Sequence, residues 1–132
     1  MAQVSTPEPA PSDAISADLD ALVGEWVTLP DVAEHLDILV TRVHNLVKDG
    51  RLLAVRRADP PVRAVPAAFL TETGVLEPLR GTLVLLRDAG YSDVEALRWL
   101  FTPDDSLPGR PVDLLRDGHK TEVRRRAQAL AW

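Results

Sequence analysis

Residues 28–65 constrain the fold more than any other stretch of this chain. They read TLPDVAEHLDILVTRVHNLVKDGRLLAVRRADPPVRAV. Leu29, Val32, Ala33 and Leu36 recur at helical spacing and share one face. Thr28 is placed to cap that helix, with Asp31 three residues on approximating a capping box. Pro30 is tolerated there, because first-turn N–H groups have no intrahelical partner. Asp37 falls at a sharp turn, and Asp accepts left-handed geometry better than most residues. A second helical pattern follows, with Val40, Val43, Leu46 and Val47 as its expected buried stripe. Gly50 supplies the stop.

The next segment changes period. Leu52 to Val55 form a β-prone run that delivers Arg56 and Arg57. Asp59, Pro60 and Pro61 break it, and Val62 to Val65 return with Arg63. Helix, turn, helix and a two-stranded hairpin are the parts of a winged helix-turn-helix, in order. Such a unit inserts its second helix, here residues 41–49, into a DNA major groove. Thr41, Arg42, His44, Asn45 and Lys48 point outward on that helix, and each carries a hydrogen-bonding group without being a carboxylate. Arg42 suits guanine and Asn45 adenine, with Thr41 a further base contact. His44 reads equally as a base or phosphate contact and as a packing residue. Lys48, Arg51, Arg56, Arg57 and Arg63 are candidates for phosphate. For Arg56 and Arg57 a salt bridge to the acidic N-terminal region is the alternative.

The run from Trp26 to Leu70, with LPDVAEHL, TRVHNLV, DGRLLAVRR and VPAAFL, resembles small actinobacterial winged-helix DNA-binding proteins related to excisionase and to MerR-type DNA-binding heads. Two positions depart from that pattern. Asp37 stands where Gly is common, and Leu39 where a Ser or Thr cap is usual.

The net charge of −5 argues against a polyanionic partner until its distribution is considered. Residues 1–27 carry five acids and no base. Residues 28–65 carry six bases against five acids, and residues 66–132 nine against ten. Local charge governs phosphate contact within about 8 Å at physiological salt. Few phosphates can be neutralised per protomer, which limits affinity and makes a homodimer a natural expectation.

Residues 1–12 are polar and Pro-rich and read as a disordered tail. Ser5 and Thr6 are candidate phosphorylation sites there. Ile15, Leu19, Leu22 and Val23 predict a short helix ended by Gly24. Residues 13–70 thus form the winged unit. Residues 71–132 read as a helical bundle, giving a mainly α protein with a small two-stranded wing. After Val65 the pattern becomes helical, and Pro66 is expected to open a short helix through Leu70. Leu76 to Leu86 mark a longer helix ending near Gly90, and Ser92 with Glu95 a capping box ahead of Val94, Leu97 and Phe101. Val112–Arg116 and Thr121–Trp132 are two more helices, the latter with Val123, Ala127, Leu130 and Ala131 inward.

Part of this half, Ala96-Leu97-Arg98-Trp99-Leu100 with Pro103, Gly109-Arg110-Pro111, Asp113-Leu114-Leu115, Gly118 and Val123, resembles the toxin-binding domain of Xre/MbcA/ParS-type antitoxins. The resemblance implies a helical packing unit, with a protein partner as the alternative function. Arg124, Arg125 and Arg126 fall on different arcs of a helix and read as structural. Trp26, Trp99 and Trp132 read as core or interface anchors.

Other chemistries find little in the sequence. The absence of Cys removes disulfides, thiolate nucleophiles and Cys-based zinc sites. His35, His44 and His119 lack metal-ligand spacing, and no phosphate-cradling glycine motif or Ser-centred elbow occurs. The Asp104-Asp105 pair reads as a cap or a solvated loop. No catalytic residue, metal or cofactor is expected. No apolar run is long enough for a membrane span, and no signal-peptide pattern opens the chain, so a cytoplasmic location is expected.

Overall fold

A computed structural model describes residues 14–131. The expectations for residues 1–12, including Ser5 and Thr6, and for Trp132 lie outside those residues.

Helix α1 spans Ala17–Val23, strand β1 Trp26–Thr28, helix α2 Leu29–Leu36 and helix α3 Val40–Lys48. Strands β2 (Val55–Arg56) and β3 (Arg63–Pro66) follow, then a single 3₁₀ turn at Ala67–Phe69. Helices α4 (Leu79–Asp88), α5 (Asp93–Phe101), α6 (Pro111–Arg116) and α7 (Lys120–Ala129) complete the described chain.

Several boundaries differ from the sequence expectation for identifiable reasons. Helix α1 starts after Ile15, because the Ser16 hydroxyl accepts from the Leu19 amide at 3.2 Å and caps the helix there. Ile15 instead stays extended, and its amide donates to the Arg56 carbonyl at 3.0 Å. The wing has three strands in the order β1-β3-β2, all antiparallel. Trp26, Val27 and Thr28 pair with Pro66, Val65 and Ala64. Three residues are too few to display a period of two, so β1 carries no sequence signature. Pro66 ends β3 and also caps the 3₁₀ turn that closes at Leu70, so the short helix expected there is a single 3₁₀ turn. Only Val55 and Arg56 of the β-prone run have a strand partner, and Leu52, Leu53 and Ala54 are buried in the connection before it.

Thr28 has two roles. It ends β1, and its hydroxyl accepts from the Asp31 amide at 3.3 Å to cap α2. Asp37 closes α2 in the left-handed conformation, at φ 57° and ψ 48°. Leu39 leads α3 without a side-chain cap and is 74% exposed. Gly50, at φ +78°, turns the chain out of α3 where a side chain would be strained.

The winged unit and the four C-terminal helices share one core. Helix α1 packs on α5, and α6 packs on the 3₁₀ turn. The rings of Phe69 and Phe101 meet across this junction with centroids 5.8 Å apart. Above Phe101 lies the Arg110 guanidinium, itself held by both carboxylate oxygens of Asp113 at 2.8 and 2.9 Å. The capping box at the start of α5 forms in full, with Ser92 accepting from the Glu95 amide and Glu95 from the Ser92 amide. The Ser92 amide first, and the Ser92 hydroxyl second, pull the Glu95 carboxyl below its ordinary range. Val94 beside it is exposed, and so is Ala131, because the buried stripe of α7 consists of Val123 and Ala127.

Arg116 ties the halves together from outside the core. Its Nη1 donates to the carbonyls of Ala68 and Leu70, both at 2.8 Å. These carbonyls close the winged unit, and no backbone N–H outside helices and strands donates to them among the described residues. Arg116→Ala is expected to lower stability by about 1–2 kcal/mol, at the lower end for charge-assisted bonds because Arg116 faces water. Urea denaturation measures this, and an unchanged midpoint would show that the strap contributes nothing.

Candidate nucleic-acid interface

Helix α3 is held by its apolar side alone. Val43 is fully buried, with Leu46 and Val47 half-buried beside it. Val40 does not join this stripe, as the sequence suggested. It is the first residue of α3 and is 39% exposed. Thr41, Arg42, His44, Asn45 and Lys48 are all exposed. None of the five makes a side-chain hydrogen bond or an ion pair among the described residues. Residues 41, 44, 45 and 48 fall within one face of the helix, and Arg42 flanks it. Amide groups of the uncapped first turn of α3 add donors at the same end.

The wing sorts its arginines by strand geometry. Arg56 and Arg63 are direct cross-strand partners, so their side chains share one sheet face, and both are exposed. Two like charges opposite each other repel unless an anion lies between or above them. Arg56 also donates from Nη1 to the Pro61 carbonyl at 3.2 Å, which folds it over the wing tip.

Arg57 points the other way, because successive residues of an extended strand face opposite sides. Its Nε and Nη2 each reach a carboxylate oxygen of Asp20 at 3.0 Å, with side-chain exposures of 23% and 19%. The guanidinium also lies over Trp26, 5.6 Å from the ring centroid. The Asp20 hydrogen bonds strengthen its hold on its proton beyond the ordinary guanidinium. Trp26 completes the cluster by donating from Nε1 to the Asp20 carbonyl at 3.3 Å. Arg57 therefore fastens the wing to α1, and it is not a free cation for phosphate. The alternative of an acidic N-terminal partner holds for Arg57, with the acid coming from α1, whereas Arg56 has no carboxylate partner among the described residues.

Arg51 is exposed but lines a groove of about 330 Å³ beside Leu36, Ile38, Leu46 and Val75, apart from the outward face of α3. His35 approaches the Thr71 carbonyl at 2.7 Å, and His119 lies 3.5 Å from Glu122, so the three histidines are dispersed. Asp104 accepts from the Ser106 amide and hydroxyl at 2.8 and 2.6 Å, and the carboxylate serves the loop. No helix among the described residues is long and apolar enough to cross a membrane.

A three-stranded wing behind a capped helix, a left-handed turn and an outward-facing second helix defines a winged helix-turn-helix domain, here fused through a common core to a helical domain. Comparison with known proteins narrows this class to one family. Residues 9–70 match the family described as DNA-binding protein Rv2175c, wHTH domain, and residues 76–131 match the Rv2175c C-terminal domain of unknown function. DNA-binding protein Rv2175c of Mycobacterium tuberculosis is 44% identical, over 79% of each chain. The NMR structure of Rv2175c superimposes with a TM-score of 0.76 at 39% identity, covering 91% of this chain and 86% of that one. The chain belongs to the Rv2175c family of winged helix-turn-helix DNA-binding proteins. The C-terminal match is to a domain of unknown function.

The Asp20–Arg57–Trp26 cluster generates a direct test. Asp20→Ala leaves a half-buried guanidinium unpaired and is expected to lower stability by about 1–3 kcal/mol. The Ile15 amide, which bonds to the Arg56 carbonyl, is expected to exchange faster with solvent hydrogen in the variant. Unaltered stability and exchange would mean that the wing is held by its strand pairing alone.

Proposed function

We propose that this chain is a cytoplasmic, sequence-specific binder of double-stranded DNA that regulates transcription, with a binding role and not a catalytic one. One observation carries the reading. Helix α3 buries Val43 completely and leaves Thr41, Arg42, His44, Asn45 and Lys48 in water, free of partners among the described residues. Desolvating that face repays its cost only when each donor meets an acceptor, and the floor of the major groove offers acceptors in a sequence-dependent pattern.

In this reading α3 enters the major groove. Arg42 and Asn45 read base edges with Thr41 beside them, and His44 contacts a base or the adjacent phosphate. Lys48 holds a phosphate from the end of the helix. Arg56 and Arg63, repelling each other in the free protein, straddle the backbone or enter the neighbouring minor groove. Arg51 flanks this surface. Arg57 acts from behind, keeping the wing at a fixed angle. Two copies on paired half-sites supply the phosphate contacts that one reading helix and one wing lack.

Two variants separate reading from gripping. Arg42→Ala is expected to cost about 1–3 kcal/mol at one base pair, with specificity relaxed at that position only. Selection of bound duplexes from a random pool measures this, and an equal loss across all sequences would assign Arg42 to phosphate. Lys48→Ala is expected to weaken every duplex alike and to reduce the slope of log affinity against log salt by about 1. Fluorescence anisotropy at several salt concentrations gives that slope, and an unaltered slope would remove Lys48 from the phosphate contacts.

A further inference from the structure

The helical domain contains a basic cleft that the DNA-binding reading does not use. It lies between α4 and α7, is open to solvent and has a volume of about 640 Å³. Arg80, Gly81, Val84 and Leu85 line it from α4, at the spacing of one helical face. Lys120, Arg124 and Gln128 line it from α7, each one turn beyond the last. Arg80, Lys120 and Arg124 stand against one carboxylate, Glu77, which leaves two positive charges uncompensated among the lining residues. None of these three cations enters an ion pair among the described residues.

Two further observations indicate a built site. Arg124 Nε is buried and has no hydrogen-bond partner among the described residues. An orphaned buried donor on a charged group is costly and calls for a reason, of which a bound ion is one. Gly81 sits inside α4, where glycine costs about 0.5–1 kcal/mol relative to alanine. A β-carbon at Gly81 would overlap the Arg124 guanidinium, with Cζ and Nε at 2.8 and 2.9 Å. Glycine is thus the residue that lets Arg124 lie flat across α4.

We infer that the α4–α7 cleft binds a small molecule through a phosphate group, held by Arg80, Lys120 and Arg124. Two uncompensated charges match a phosphate, which carries about −1.5 to −2 at neutral pH, better than a monocarboxylate. The guanidinium fork of Arg124 fits two phosphate oxygens. Pro78, Val84 and Leu85 form an apolar wall beside the cations, and Val84 is 46% exposed. That wall suits the organic part of a phosphate monoester, and a volume of this size lies within the usual range for small-molecule sites. The inference stands independently of the DNA-binding reading.

Calorimetric titration of the full chain with phenyl phosphate, inorganic phosphate and benzoate tests it. Phenyl phosphate is expected to saturate one site per chain and to bind more tightly than benzoate, which has the same ring and a single charge. Arg124→Gln is expected to weaken phenyl phosphate about tenfold or more, as loss of one charge-assisted hydrogen bond requires. Gly81→Ala is expected to weaken it as well while leaving thermal stability equal or higher, since alanine favours the helix. That combination separates displacement of Arg124 from damage to the fold. Tighter binding of phenyl phosphate than of inorganic phosphate identifies an organic phosphate, and equal binding identifies free phosphate as the source. Absence of saturation by either phosphate, or unchanged affinity in both variants, overturns the inference. It also fails if Arg124→Gln weakens duplex DNA binding while neither phosphate binds, because the cations then belong to a DNA contact.

Discussion

Helix α3 is fastened to the molecule along one narrow stripe, and the rest of the architecture depends on that attachment. Val43 is its single fully buried residue, supported by half-buried Leu46 and Val47. A nine-residue helix is too short to persist in water by itself. It is retained because α2 presents an apolar face at the right distance, and Asp37 sets that distance in one left-handed residue. With so few anchors, nearly the whole circumference of α3 is left for contact with another molecule. The same economy means that α2, its Thr28 cap and the strand ahead of it must be rigid.

Rigidity comes from behind the reading surface. Strand β1 fixes the start of α2 to the central strand of the wing, so helix and wing are parts of one hydrogen-bonded unit. Arg57 and Trp26 fasten that unit to α1, which in turn packs on α5. Phe69 against Phe101 and the Arg116 strap carry the connection into the helical domain. The C-terminal helices thus form a brace continuous with the wing, and a ligand in the α4–α7 cleft would bind to that brace. Residues Glu77 and Arg80 line both this cleft and the smaller groove beside Arg51.

Much of this was legible in the sequence because it rests on local rules. The Thr28 cap, the turn at Asp37, the stop at Gly50 and the Ser92–Glu95 capping box each follow from a few neighbouring residues. The outward residues of α3 follow from helical period alone. Features decided by distant partners were not legible. Strand β1 is defined by its pairing with β3, and three residues hold no pattern. For Arg57 the sequence offers both a wing contact and an acidic N-terminal partner, and it takes the fold to choose Asp20, 37 positions away, and to leave Arg56 free of it. Strand period could have separated the two arginines had β2 been longer. Arg124 looked like one of three dispersed cations, and its approach to Gly81 depends on how α4 and α7 cross. Val40 has the right spacing for the buried stripe, but it opens α3 and stays 39% exposed.

The central claim is that α3 and the outer face of the wing form the surface presented to duplex DNA. Titrating ¹⁵N-labelled protein with a short duplex and following amide chemical shifts tests this most directly. The largest shifts are expected at Leu39–Lys48 and around Arg56 and Arg63, with the interior of the helical domain little affected. Shifts concentrated on α4 and α7, with α3 unperturbed, would contradict the account.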